Sequence, residues 1–171
     1  MNRFAVLLGA LCSLLFLSGH LGAAERLVLI GDRGTEDLLE DAAKLGRRVA
    51  AERGIAIASE GTNGYTSAML LEDLEDDVLD KKPTRVFIAL GSEEIWDFRR
   101  DEAVADISIA DITARLKTAV TRLQEAGAAV ALVTPQAYGI EAPELQEAMQ
   151  PLAVAIRALA TETGSDCFDL H

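Results

Sequence analysis

Histidine is nearly missing from this chain: two of its 171 residues are histidines, His20 near the N-terminus and His171 at the last position. Serine and cysteine nucleophiles usually need a positioned base held by a third group, and a terminal histidine is normally frayed. A standard hydrolytic triad is therefore disfavoured. Cysteine is just as scarce, with Cys12 in an apolar N-terminal stretch and Cys167 near the end. Basic charge is short too, 16 Lys and Arg against 28 Asp and Glu, for a formal net charge of −12. With no Lys/Arg stripe to offset that balance, nucleic acid is excluded as an expected partner and anionic membranes are disfavoured. No G-x-G-x-x-G opens the chain and no G-x-x-x-x-G-K-[ST] occurs in it, so dinucleotide and nucleoside-triphosphate chemistry are not expected, and neither is any cofactor.

One long apolar run is present, Phe4 to Leu17, preceded by Asn2 and Arg3 and followed by the small residues Gly22-Ala23-Ala24 before Glu25. This order of short positive, apolar and small-residue segments reads as an export signal spanning residues 1–24. The competing reading is an uncleaved anchor, but the apolar stretch falls short of the roughly 20 residues a spanning helix needs. Cys12 lies within the apolar core rather than at its end, which disfavours a lipidated N-terminus. Removing 24 of 171 residues leaves 147, enough for one domain, 25–171, with one core. The mature chain is expected in the periplasm or outside the cell, without stable membrane insertion. Cys167 would then be its one cysteine, unable to close an intramolecular disulfide; a buried structural thiol is expected, a reactive one being the alternative.

Apolar runs without alternation at Leu27 to Ile30, Ile55 to Ala58, Val86 to Leu90 and Ala129 to Val133 fit strands of a parallel sheet covered on both faces. Cys167 to Leu170 gives a fifth strand. Helical stripes lie between them: Leu38, Leu39, Ala42, Leu45 and Val49; Ile109, Ile112, Leu116, Val120 and Leu123, closed by Gly127; and Leu145, Met149, Leu152, Ile156 and Leu159, closed by Gly164. Pro151 is expected to kink the last helix or start a new one. The acidic stretch Glu72 to Asp80 carries Leu71, Leu74, Val78 and Leu79, so it reads as a solvated helix face with an apolar back. The result is an α/β three-layer sandwich around a five-stranded parallel sheet, with ligands expected beyond the carboxyl ends of the strands.

Those strand ends hold the candidate residues. Gly31-Asp32-Arg33-Gly34-Thr35 follows the first strand, and Thr35 could cap the next helix. Glu60-Gly61-Thr62-Asn63-Gly64-Tyr65-Thr66 follows the second; its glycines permit a backbone that presents N–H groups to an anion, though an ordinary turn has the same composition. Gly91-Ser92-Glu93-Glu94 follows the third, and Thr134 to Tyr138 the fourth. Trp96, Phe98, Arg99 and Arg100 read either as a core tryptophan beside a solvated arginine pair or as the rim of a small-ligand site. Asp32, Asp37, Glu60, Glu93 and Glu94 could in principle bind a hard cation through oxygen, but scattered carboxylates are usually solvated, and no metal is expected.

In these blocks the chain resembles the SGNH or GDSL hydrolases, a family of small esterases, lipases and carbohydrate deacetylases with a flavodoxin-like five-stranded sheet. Leu27-Val28-Leu29-Ile30-Gly31-Asp32 is similar to the strand entering the family's Gly-Asp-Ser motif, and Glu60 to Thr66 to the second block, with Gly64 at the oxyanion glycine. Ile88 to Glu94 resembles the block ending in Gly-x-Asn-Asp, and Ala155 to His171 the last helix and strand. The resemblance places Arg33 where the family has its nucleophilic serine and Glu93 where it has its oxyanion asparagine. Glu94 keeps an acidic residue at the following position. A guanidinium has no lone pair for acyl transfer, and a carboxylate repels the charge that an oxyanion hole must stabilise. The family's terminal Asp-x-x-His block has no counterpart.

Two functional readings follow. In the first, the chain is a non-catalytic exported domain that binds a small molecule, a glycan or an envelope protein in the former active-site cleft through Arg33, Asn63, Gly64, Glu93 and Glu94. In the second it is an active carboxylic-ester hydrolase or carbohydrate deacetylase, with Asp169 and His171 as a displaced pair and Thr35, Ser59 or Ser67 as nucleophile. A truncated product of little function is a third.

Overall fold

A computed structural model of the chain describes residues 25–32, 56–60, 64–95, 108–135 and 143–171. The export segment, the helix expected over 38–49, Arg33, Thr35, Asn63 and the stretch 96–100 lie outside the described residues.

Five strands form one parallel sheet: β1 (Arg26–Gly31), β2 (Ala56–Glu60), β3 (Arg85–Ala89), β4 (Ala129–Val133) and β5 (Asp166–Phe168). Their order is β2-β1-β3-β4-β5, the flavodoxin-like arrangement expected. Gly31 pairs with Ala89, and Ile30 with both Glu60 and Ile88, so the ends of β1, β2 and β3 finish side by side. Residues on both faces of β1, β3 and β4 are buried, which is why these strands read as unbroken apolar runs.

Three described helices pack on one face. In α1, Ser67–Asp73, Thr66 is the cap, its hydroxyl accepting from Met69 N at 3.2 Å. The chain then widens into a π turn, Leu74–Val78, and tightens into a 3-10 turn, Leu79–Lys81. Leu74 and Val78 are fully buried there while Glu75, Asp76 and Asp77 face water, as the acidic stretch predicted. Helix α2, Ile109–Glu125, opens with a reciprocal capping box between Ser108 and Asp111. It buries Ile112, Leu116, Val120 and Leu123, each worth about 1.5–3 kcal/mol of burial. Helix α3, Pro143–Thr163, buries Met149, Leu152, Ile156 and Leu159. These side chains join Val28, Ile30, Val86, Ile88, Val130 and Leu132 in one cluster. On the opposite face Leu27, Leu29, Phe87, Ala89, Ala131 and Val133 form the second core layer, and Phe168 stacks on Phe87 with ring centroids 5.2 Å apart.

Two local expectations need correction, and of the two readings of Pro151 one is set aside. No new helix starts at Pro151; α3 runs through it, because Pro151 and Glu147, whose carbonyl loses its helical partner there, are both exposed and water can satisfy that carbonyl. The last strand is shorter than Cys167 to Leu170: after Thr134 N donates to the Phe168 carbonyl, the Leu170 N–H turns to the Thr134 hydroxyl and the ladder stops. Cys167 is exposed rather than buried, since β5 is a three-residue edge strand whose packing is carried by Phe168. Its thiol is nonetheless pushed up, by desolvation first and then by the Asp169 carboxylate, which leaves it a poor nucleophile.

Among the described residues no helix is long and apolar enough to cross a membrane.

Candidate functional site

The carboxyl ends of β1 and β3 are joined by a buried carboxylate. Asp32, fully buried one residue past β1, accepts at Oδ2 from the N–H groups of Ser92 (3.0 Å) and Glu93 (3.2 Å). These donors open the helical turn that follows β3 and would otherwise lack a partner. Gly91 makes the turn possible. Its φ of 108° lies in the left-handed region, and a Cβ there would stand 2.9 Å from Leu152 Cδ2.

Glu93 and Glu94 are both buried, at 4% and 2% exposure, although carboxylates normally face water. The Glu94 carboxyl ties the turn after β3 to the start of α1: its Oε1 accepts the Ser67 N–H at 3.0 Å and also the Ser67 hydroxyl. Arg115 of α2 approaches the same oxygen to 4.0 Å, while Oε2 is buried without a hydrogen-bond partner. Burial raises the Glu94 pKa above the ordinary glutamate value, opposed by the two Ser67 hydrogen bonds and by Arg115.

Gly64, the expected oxyanion glycine, has φ of 88° with open space where a Cβ would stand. The backbone angle, not crowding, selects glycine here. Next to it Tyr65 is buried with its hydroxyl donating to Asp73 Oδ2 at 3.4 Å; burial, then Asp73, drives the phenol far above its usual range and keeps it neutral. Ser59 belongs to β2, and the nearby Glu60 carboxylate pairs with Lys81 at 2.9 Å. The Ser67 hydroxyl is committed to Glu94, which removes it as a nucleophile aimed at a histidine.

Towards the opposite edge of the sheet, past the carboxyl ends of β4 and β5, the structure does not bring the Asp169 carboxylate onto the His171 imidazole. Asp169 takes the Arg157 guanidinium through both oxygens, at 2.9 and 3.0 Å, and the Thr134 hydroxyl at 3.0 Å. The Arg157 contact, first among the causes, holds the Asp169 carboxyl below its usual range. Its link to His171 is a 3.4 Å hydrogen bond from the backbone N–H. The imidazole Nε2 lies 3.0 Å from Gln146 Nε2, near the start of α3. Sequence reasoning placed Thr134 at the end of the fourth strand without giving it a partner, and it did not find Gln146 or Arg157. Thr134 carried a weak signal as the polar residue closing an apolar strand; Arg157 and Gln146 carried none, being polar positions on an amphipathic helix. Among the described residues no group of three or more His, Cys, Asp or Glu side chains is placed to hold a metal ion.

The sequence profile of the GDSL-like lipase/acylhydrolase family matches residues 29–171. No curated protein sequence matches the chain. Among solved structures, an acetylxylan esterase from Geobacillus stearothermophilus superposes with a TM-score of 0.74 at 23% identity, covering 86% of this chain and 76% of that one. Catalytic mutants of that esterase replace a serine, an aspartate and a histidine. The acetyl xylan esterase AlAXEase superposes with a TM-score of 0.71 at 22% identity, covering 85% and 77% of the two chains.

Proposed function

Since the chain belongs to the GDSL-like lipase/acylhydrolase family, we propose that it is an exported member that binds a ligand in the family cleft and does not hydrolyse esters. The observation that carries this reading is the engagement of the terminal Asp-x-His. Acyl transfer needs an imidazole that takes a proton from the nucleophile, with a carboxylate holding its tautomer and orientation. Here the Asp169 carboxylate is held by Arg157 and Thr134, and the imidazole lies against Gln146. Arg33 at the nucleophile position stays protonated, and Glu93 at the oxyanion position brings a carboxyl group where an amide donor is required.

The same substitutions suit binding. The strand ends keep a frame, in which Asp32 fixes the turn after β3 and Glu94 fixes the start of α1. Arg33, Asn63 and Gly64 would present a polar surface to a small molecule, a glycan or an envelope protein, and the buried Glu93 and Glu94 would reach a ligand only where binding uncovers them. Export rests on the leader pattern of Arg3, the run Phe4 to Leu17 and Gly22-Ala23-Ala24; a secreted product beginning at Glu25, by intact mass, is the expected result.

The alternative, an active ester hydrolase or carbohydrate deacetylase, is favoured by two observations: Gly64 retains a left-handed backbone, and the similar folds are acetylxylan esterases. The test is covalent labelling. A fluorophosphonate modifies an activated serine or threonine, so an unchanged intact mass after incubation supports the binding reading. A single adduct mapping to Ser59, Ser67 or Thr35 establishes the hydrolase instead.

A further inference from the structure

The Glu94 carboxyl is asymmetric in its surroundings. Oε1 receives two donors from Ser67, while Oε2 is buried and bare. With Oε1 occupied, the proton of the neutral acid resides on Oε2. Removing that proton leaves a buried negative charge with one oxygen unpaired, a costly state unless a cation reaches it. Among the described residues, two side chains act on it. From α1 comes Ser67, which does not titrate. On the same turn Asp32, one residue past β1, accepts the N–H groups of Ser92 and Glu93. From α2 comes Arg115, at 4.0 Å and outside hydrogen-bond range, its side chain 32% exposed and so free to move inward.

We propose that Glu94 and Arg115 form a proton-controlled latch between the turn after β3 and helices α1 and α2. The neutral acid maintains the arrangement seen here, and loss of the proton draws the Arg115 guanidinium onto Oε2. Ser67 lies three residues after Gly64 and shares its carboxyl partner with Arg115, so closure of the latch pulls on the start of α1. The latch does not depend on whether the cleft binds or hydrolyses its ligand.

The test is infrared difference spectroscopy on the full-length chain, reading the protonated-carboxyl C=O band across acid to alkaline pH in wild type, Glu94→Gln and Arg115→Met. A band present in wild type and lost in Glu94→Gln should persist above the ordinary glutamate range. In Arg115→Met it should persist to higher pH still, because the cation that stabilises the ionised form is gone. Hydrogen exchange of the Ser67 N–H should change with the same midpoint in wild type. A Glu94 band that titrates within the ordinary glutamate range overturns the proposal, as does an identical midpoint in Arg115→Met. Should Glu94→Gln fail to fold, the shift between wild type and Arg115→Met decides alone, since both retain Glu94.

Discussion

The Asp169 carboxylate sits in the fork of the Arg157 guanidinium, with Nε to Oδ2 at 2.9 Å and Nη2 to Oδ1 at 3.0 Å. Two-point pairing of this kind fixes orientation as well as charge. Thr134 adds a third donor at Oδ1, and the Thr134 hydroxyl oxygen in turn accepts the Leu170 N–H at 2.8 Å. The last three residues are thereby stitched to β4 and α3. A carboxylate engaged in this way is a structural clasp, and its link to the histidine two residues later runs through that residue's backbone N–H.

The clasp should respond to acid in a defined direction. Asp169 has a lowered pKa in the fold, so its contribution is present above the ordinary aspartate pKa and is lost as pH falls through the lowered value. Hydrogen exchange should show the Leu170 N–H protected at neutral pH and released on acidification. Arg157→Ala should reduce that protection several-fold at neutral pH and move the acid release to higher pH. Because both side chains are substantially exposed, the melting temperature should change little.

Thr134 is 1% exposed and serves as donor and acceptor at once. Thr134→Val keeps the shape, removes both hydrogen bonds and leaves the Leu170 N–H without its partner. A loss of about 1–2 kcal/mol in denaturant unfolding is expected; a neutral result would show that the tail is not held through this hydroxyl.

Gly91→Ala should cost about 2–3 kcal/mol, combining a left-handed backbone with a methyl 2.9 Å from the fully buried Leu152 side chain. Gly127→Ala is the control. Its φ is 90° but nothing lies within 4 Å of the added carbon, so about 1 kcal/mol is expected. Equal losses at the two sites would contradict the packing assigned to Gly91.

Ser67→Ala removes the hydroxyl donor from Glu94 Oε1 but leaves the backbone N–H in place. A loss of about 1–2 kcal/mol is expected at neutral pH. Glu94 should also titrate higher than in wild type, because a hydrogen bond favouring its ionised form is gone. Its raised pKa means that its contribution is complete below the ordinary glutamate value and declines as pH rises through the folded one.

The sheet was legible because β1, β3 and β4 are buried on both faces and must be apolar without alternation, and the stripes of α2 and α3 showed their inward sides for the same reason. Asp32 and the Gly91 turn could be placed at strand ends from motif order. That Asp32 bonds the turn after β3 could not be read, since sequence spacing does not report which backbone N–H groups lack partners. Glu93 and Glu94 look solvated in sequence, and it is their tertiary partners that allow burial. Cys167 misled for the converse reason: an apolar-looking residue beside Phe168 suggested a core strand, but on a three-residue edge strand only one side chain needs to pack. The Asp169 clasp depends on Arg157, twelve residues earlier on an amphipathic helix, and nothing in local composition pairs the two.

The most direct test is the initial rate of hydrolysis of short-chain p-nitrophenyl esters by the purified protein, measured beside an Asp169→Ala/His171→Ala double variant. The account predicts a wild-type rate equal to that of the double variant and of buffer, because neither residue serves an acyl-transfer relay. A clear wild-type rate abolished by the double substitution would contradict it and make the terminal Asp-x-His the working acid–base pair.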